Sequence, residues 1–306
     1  MKTTLLATLA LLGTTGLAVA DIGPLVTPAD LAAEGSAPLI LDIRETGYEA
    51  GHVPGAIPAP YGLFRGPAEN PGALVPEEEL ESRLRALGVT LDRPVVVVHQ
   101  GKDDSDFGAA ARVYWTLKSS GVSQLAILNG GMNAWRDAGQ PVQTEGVAPT
   151  PSTVDVTFSD QWLATRDEVD AIVAGDRTAH LIDARPTPFF DGAQAHPAAA
   201  KPGTLPLAQS VPHSGFFDGT PRLAGADTAR DVAAEAGIGQ GDEVVSFCNT
   251  GHWAATEWFA LSEVAGLPNV KLYPESMVGY SQTGGAMQNE PSLWDNLVRQ
   301  VRGSNG

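Results

Sequence analysis

Cys248 is the one cysteine in a chain of 306 residues, and it directly follows a strand-like run, Val244-Val245-Ser246-Phe247. It opens the segment Cys248-Asn249-Thr250-Gly251-His252-Trp253-Ala254, beyond which a helix is predicted from about Ala255 to Val264. A thiol held between a strand end and a helix start meets unpaired main-chain N–H groups and the positive end of the helix dipole. Both favour the thiolate. The spacing therefore reads as a nucleophile loop, set against the alternative of a buried cysteine acting as a small hydrophobe. A lone cysteine closes no internal disulfide, which excludes a structural staple.

Neighbouring chemistries fail on what the loop lacks. Phosphate or arsenate transfer on such a loop needs an arginine closing it, and Trp253 and Ala254 stand there instead. Disulfide exchange needs a second cysteine. His52, His180, His196 and His213 are scattered without i,i+4 pairing, so no metal and no cofactor is expected. The acidic run Lys102-Asp103-Asp104-Ser105-Asp106 lacks the spacing and closing glutamate of a calcium loop. It is expected to be a solvated loop.

The elements that position Cys248 occur twice. Leu39-Ile40-Leu41-Asp42-Ile43-Arg44 is answered by Leu181-Ile182-Asp183-Ala184-Arg185, and Val95 to Val98 by Val244 to Phe247. Val113-Tyr114-Trp115 and Glu257-Trp258-Phe259 lie on matching helices, followed by strands at Leu125 to Leu128 and Val270 to Tyr273. Short apolar strands alternating with helices predict an α/β fold: two tandem domains, each a mostly parallel sheet with helices on both faces. The domains are expected at residues 21–145 and 160–306, joined by a linker at 146–159 within the Pro-, Thr- and Val-rich stretch Pro141 to Ser159. His99 or Gln100 takes the first-half position that corresponds to Cys248.

Residues 1–20 read as a secretory signal, with Lys2, an apolar Leu5 to Leu12 and the cleavage-like Ala18-Val19-Ala20 before Asp21. That stretch is too short to span a bilayer, and no later one qualifies. Export is expected, to the periplasm in a Gram-negative host. With 36 acidic against 19 basic residues the net charge is −17, which argues against nucleic acid or anionic lipid as a partner.

Four motifs in order carry a family resemblance. They are Asp42-Ile43-Arg44 with Tyr48 and Gly51-His52-Val53-Pro54-Gly55-Ala56; Leu128-Asn129-Gly130-Gly131-Met132 with Trp135; Cys248 to Ala254; and Leu272-Tyr273-Pro274-Glu275-Ser276-Met277. Together they resemble the two-domain rhodaneses, the thiosulfate and 3-mercaptopyruvate sulfurtransferases. The resemblance implies that Cys248 takes a sulfane sulfur from a small-molecule donor as a persulfide and yields it to a thiol or cyanide acceptor. It implies that the amides of Asn249 through Ala254 cradle the outer sulfur, with Asp183 and Arg185 beside the loop. Those two either tune the loop or simply form an ion pair closing the strand end, as Asp42 and Arg44 do in the other half. A non-catalytic sulfur carrier or partner-binding protein is the alternative.

The chain departs from the family in places. Basic side chains follow the cysteine in thiosulfate enzymes, whereas Asn249 and Thr250 are neutral, and Phe189 replaces an anion-binding arginine. Each lost charge-assisted contact is worth ~1.5–3 kcal/mol. Weak thiosulfate binding, or a donor that is neutral or carries its charge elsewhere, is the expectation. His252 is a candidate imidazolium holding the thiol ionised, set against a side chain that points into solvent or caps a loop carbonyl, and Trp253 is expected to wall the pocket or pack under the loop.

Overall fold

The computed structural model describes residues 22–34 and 38–292. The signal-like segment expected at residues 1–20 lies outside them. In the first domain β1 (Leu25–Val26), β2 (Leu39–Asp42), β3 (Ile57–Pro58), β4 (Val95–Val98) and β5 (Leu125–Leu128) form a parallel sheet in the order β1-β5-β4-β2-β3. Every residue of β2, β4 and β5 is buried, which only an unbroken apolar run can satisfy when both sheet faces are covered. The second domain repeats the plan with β6 (His180–Asp183), β7 (Gln209–Ser210), β8 (Val244–Phe247) and β9 (Val270–Leu272), ordered β7-β6-β8-β9 and again parallel.

The covering helices in chain order are α1 (Pro28–Ala33), α2 (Glu77–Ala86), α3 (Asp104–Ser119), α4 (Gly131–Asp137), α5 (Arg166–Ala174), α6 (Thr187–Phe190), α7 (Ala226–Glu235), α8 (Trp253–Trp258) and α9 (Ser276–Gln282). The helix after Cys248 starts at Trp253, earlier than its apolar pattern indicates, and widens into a π-helical turn over Phe259–Val264. The acidic run is not the solvated loop its composition predicts. Asp103 caps α3 by accepting the Asp106 amide at 2.9 Å, and Asp106 accepts from His99 Nδ1 at 2.9 Å.

Register settles which residue replaces the cysteine in the first half. Asp42 pairs with Val98 as Asp183 pairs with Phe247. The Met132 amide donates to the His99 carbonyl, and the Met277 amide to that of Cys248. His99 therefore stands where Cys248 stands, and Gln100 where Asn249 stands.

The two sheets share one interior. α3 and α8 meet along an aromatic seam: Tyr114 and Phe259 lie edge to face at 4.9 Å, Phe107 and Phe259 at 5.6 Å, and Trp115 and Trp258 are fully buried. Such pairs add about 0.5–1.5 kcal/mol each beyond the area they bury. The stretch between α4 and α5 is strapped down rather than loose. Val154 and Val156 are buried, and the amides of Ser152 and Ser159 donate to the carbonyls of Arg85 and Ser119.

Candidate active site

β8 ends at Phe247, so Cys248 is the first residue past the sheet, at the carboxyl edge where parallel sheets collect their ligands. Its side chain is 1% exposed. One acceptor shapes the turn: Ser276 Oγ receives the Cys248 amide at 3.0 Å and the Gly251 amide at 3.1 Å, while its own hydrogen goes to the Tyr273 carbonyl. Ser276 holds φ at +50°, an unusual conformation for a residue with a side chain. Among the described residues the amides of Asn249, Thr250, His252, Trp253 and Ala254 have no protein acceptor. Gly251 is thus removed from the set of amides expected to cradle a sulfur. It is needed for another reason: its φ is +66°, and a Cβ there would strike Arg112 Nη1 and lie 2.5 Å from the Pro274 carbonyl.

Asp183 and Arg185 are fully engaged with each other. Arg185 Nε and Nη2 donate to the two carboxylate oxygens at 2.8 and 2.6 Å, and Nη2 also reaches the Gly203 carbonyl. Arg185 Nη1 donates to Asn249 Oδ1 at 3.3 Å. The pair closes the strand end and steadies the loop through Asn249, so its charge is spent internally. Asp42, Arg44 and Gln100 reproduce the arrangement in the first half. Phe189 stands 5.9 Å from Trp253, ring to ring.

His252 is not an imidazolium. Burial, and secondarily the charge of Arg65, push its pKa down to about 4. Its Nε2–H donates to the Ser105 carbonyl at 2.7 Å, leaving Nδ1 to accept the Tyr61 hydroxyl at 3.1 Å. The ring is a neutral bolt between the domains, bonded to a carbonyl of the opposite half rather than to one of its own loop. Trp253 does the same work: its Nε1 donates to Ser105 Oγ at 2.7 Å, and its ring stacks on His213 at 5.0 Å. Gly108 on α3 makes room for this docking, since a Cβ there would sit 2.8 Å from the His252 carbonyl.

The positive charge near the loop comes from the other half, and the local sequence around Cys248 gives no sign of it. Arg65 Nη1 donates to the Thr250 carbonyl at 2.9 Å with its guanidinium over the Tyr61 ring, 5.1 Å from the centroid. Arg112, from α3, is 1% exposed and donates to the Gly72 carbonyl at 3.0 Å and to the Gly251 carbonyl at 3.4 Å. Burial and the repulsion of Arg65 lower its pKa to about 9. Behind the loop, Ser246 Oγ lies 3.0 Å from the Ala254 carbonyl and 2.5 Å from Glu257 Oε2. One hydroxyl hydrogen cannot serve two acceptors. Burial raises the Glu257 pKa well above the carboxylate range, so the carboxyl keeps its proton and donates it to Ser246.

Two parallel sheets in tandem, with a thiol at one sheet's carboxyl edge and a histidine at the other's, define a duplicated α/β fold. The rhodanese-like domain model matches residues 27–138 and 165–283, and the chain belongs to that family. It is 31% identical over 278 residues to the thiosulfate sulfurtransferase of Azotobacter vinelandii, covering 89% of this chain and 96% of the relative. It is 26% identical over 248 residues to the sulfur carrier protein TtuD of Thermus thermophilus, covering 78% and 85%. Among solved structures, SseA from Escherichia coli, described as a 3-mercaptopyruvate sulfotransferase, superposes with a TM-score of 0.72 at 23% identity, over 83% of this chain and 98% of that one. The last comparison bears on the fold.

Proposed function

We propose that the protein is a sulfurtransferase working through a persulfide on Cys248. The observation that carries this reading is a thiol at a parallel-sheet edge, followed by amides that no acceptor among the described residues occupies. Those N–H groups are available to an anionic sulfur in the way an oxyanion hole serves an oxygen. The A. vinelandii relative adds the class of donor.

The Cys248 thiolate attacks the outer sulfur of a sulfane donor in line. With thiosulfate, the bond between the outer sulfur and the sulfonate sulfur breaks, its electron pair departs with sulfite, and Cys248 is left as an anionic persulfide. A second nucleophile attacks the outer sulfur, and the returning electron pair restores the thiolate; cyanide leaves as thiocyanate, a thiol as its persulfide. With no second cysteine in the chain, no internal thiol intercepts the sulfur as a disulfide. Near-complete burial of Cys248 keeps bulk water from the loaded sulfur.

Intact-mass analysis after donor exposure tests the proposal. Wild-type protein gains one sulfur and loses it on addition of a thiol, whereas Cys248→Ser gains none. A protein that loads but fails to turn over under excess acceptor fits the carrier reading, which the relative named as a sulfur carrier favours. One that never loads refutes both.

A further inference from the structure

The loop's own neutral residues point away from an anionic donor, but the loop is not the whole site. Arg65 belongs to the first domain, beyond the reach of any local motif around Cys248, and its guanidinium reaches the Thr250 carbonyl at 2.9 Å. The chain carries 36 acidic and 19 basic residues, and among the described residues the arginines at 83, 85, 166, 177 and 230 pair with carboxylates, whereas exposed Arg136 and Arg222 do not. Among the described residues no carboxylate lies within ion-pair distance of Arg65 or Arg112.

A second observation marks the same place. Arg112 is buried beside the loop with its Nε unpartnered, although a buried guanidinium normally spends every donor. Two guanidiniums on adjacent loop carbonyls, neither of them paired with a carboxylate among the described residues, form an arrangement that an incoming anion completes. Both meet the loop through its carbonyls, Thr250 and Gly251, so the amides stay free for sulfur. The Arg65 guanidinium lies over the Tyr61 ring, and Tyr61 is itself tied to His252.

We infer that the first domain supplies the anion subsite of this sulfurtransferase: Arg65 receives the anionic end of the donor, backed by the fixed charge of Arg112 behind Gly251. The inference rests on the persulfide reading and narrows it to donors bearing a negative group next to the transferable sulfur, such as a thiosulfonate. It replaces the expectation of weak thiosulfate binding drawn from Asn249, Thr250 and Phe189. The charge absent from the loop arrives from the other half of the duplication.

The test compares thiosulfate with an alkyl hydropersulfide as donors, the latter losing its outer sulfur to the thiolate as an alkanethiolate departs and carrying no sulfonate or carboxylate, with cyanide as acceptor, in wild type, Arg65→Met and Arg65→Lys. In Arg65→Met the ratio of kcat/KM for thiosulfate over that for the hydropersulfide falls about 10- to 100-fold, carried by KM. Inhibition by the product sulfite weakens in parallel. Arg65→Lys recovers much of the ratio, because charge matters more than the hydrogen bond to Thr250. An unchanged ratio in Arg65→Met overturns the inference, as does an equal loss with both donors, which would mean that Arg65 only braces the loop. If wild-type protein takes sulfur from neither donor, the persulfide reading itself fails, a result distinct from an unchanged ratio in an active enzyme.

Discussion

Ser276 holds Cys248 by its backbone: the serine hydroxyl accepts the cysteine amide at 3.0 Å, and that of Gly251 at 3.1 Å. The thiol's direction is therefore set by a residue from the start of α9, which itself sits at φ +50°. Ser276→Ala strands two buried amides at about 1–3 kcal/mol each, and sulfur transfer drops at least about tenfold as the turn loosens. Ser276→Gly relieves the backbone but still lacks the acceptor, so it regains stability without regaining rate. Rates unchanged in both variants would remove Ser276 from the loop's control.

The neutral His252 gives stability a pH signature. Its folded pKa of about 4 lies below the ordinary 6.5, so the unfolded chain binds the proton that the fold refuses. This contribution is complete above pH 6.5 and is lost as pH falls towards 4, amounting to at most about 3 kcal/mol. Denaturant titrations of wild type and His252→Gln across that window show a steeper acid loss in wild type. If the variant instead slows alkylation of Cys248 at neutral pH without altering the acid slope, the imidazolium role returns.

Glu257 has the opposite sign. Its folded pKa is raised, so the fold is favoured while the group is protonated, and stability drains as pH climbs above the unfolded value of about 4.5. Glu257→Gln supplies the same donor to Ser246 without an ionisable proton. The variant is at least as stable as wild type at pH 8, and its stability is flatter with pH. Marked destabilisation by glutamine would show that Ser246 donates to a carboxylate.

Asp183→Asn leaves the buried Arg185 guanidinium uncompensated, at about 3–5 kcal/mol. Asp42→Asn costs a similar amount in the other half. Because Arg185 also holds Asn249, only the Asp183 variant slows sulfur transfer in the protein that remains folded. Equal activity per folded molecule in the two variants would confine Asp183 to a purely structural part.

The duplicated α/β plan was legible because Val95 to Val98 and Val244 to Phe247 are unbroken apolar runs, each followed by a loop and a helix. Cys248 stood out by type and by place. The charges around it did not, for Arg65 and Arg112 are distant in sequence and gain meaning only when α3 packs against α8. His252 shows the same limit from the other side. A histidine beside a thiol reads as an electrostatic aid until burial and the Ser105 carbonyl fix it as neutral. The acidic run misled because composition records charge, whereas Asp103, Ser105 and Asp106 are each consumed by a specific partner.

The seam between α3 and α8 makes the inert half answerable for the reactive one. Ser105 anchors the indole and the imidazole of the thiol's own turn, Gly108 admits that turn, and Arg112 lies against it. A lesion at any of these three positions is felt in chemistry carried out by the other ancestral copy. Across that seam the two halves are bolted into one working unit, each supplying contacts the other lacks.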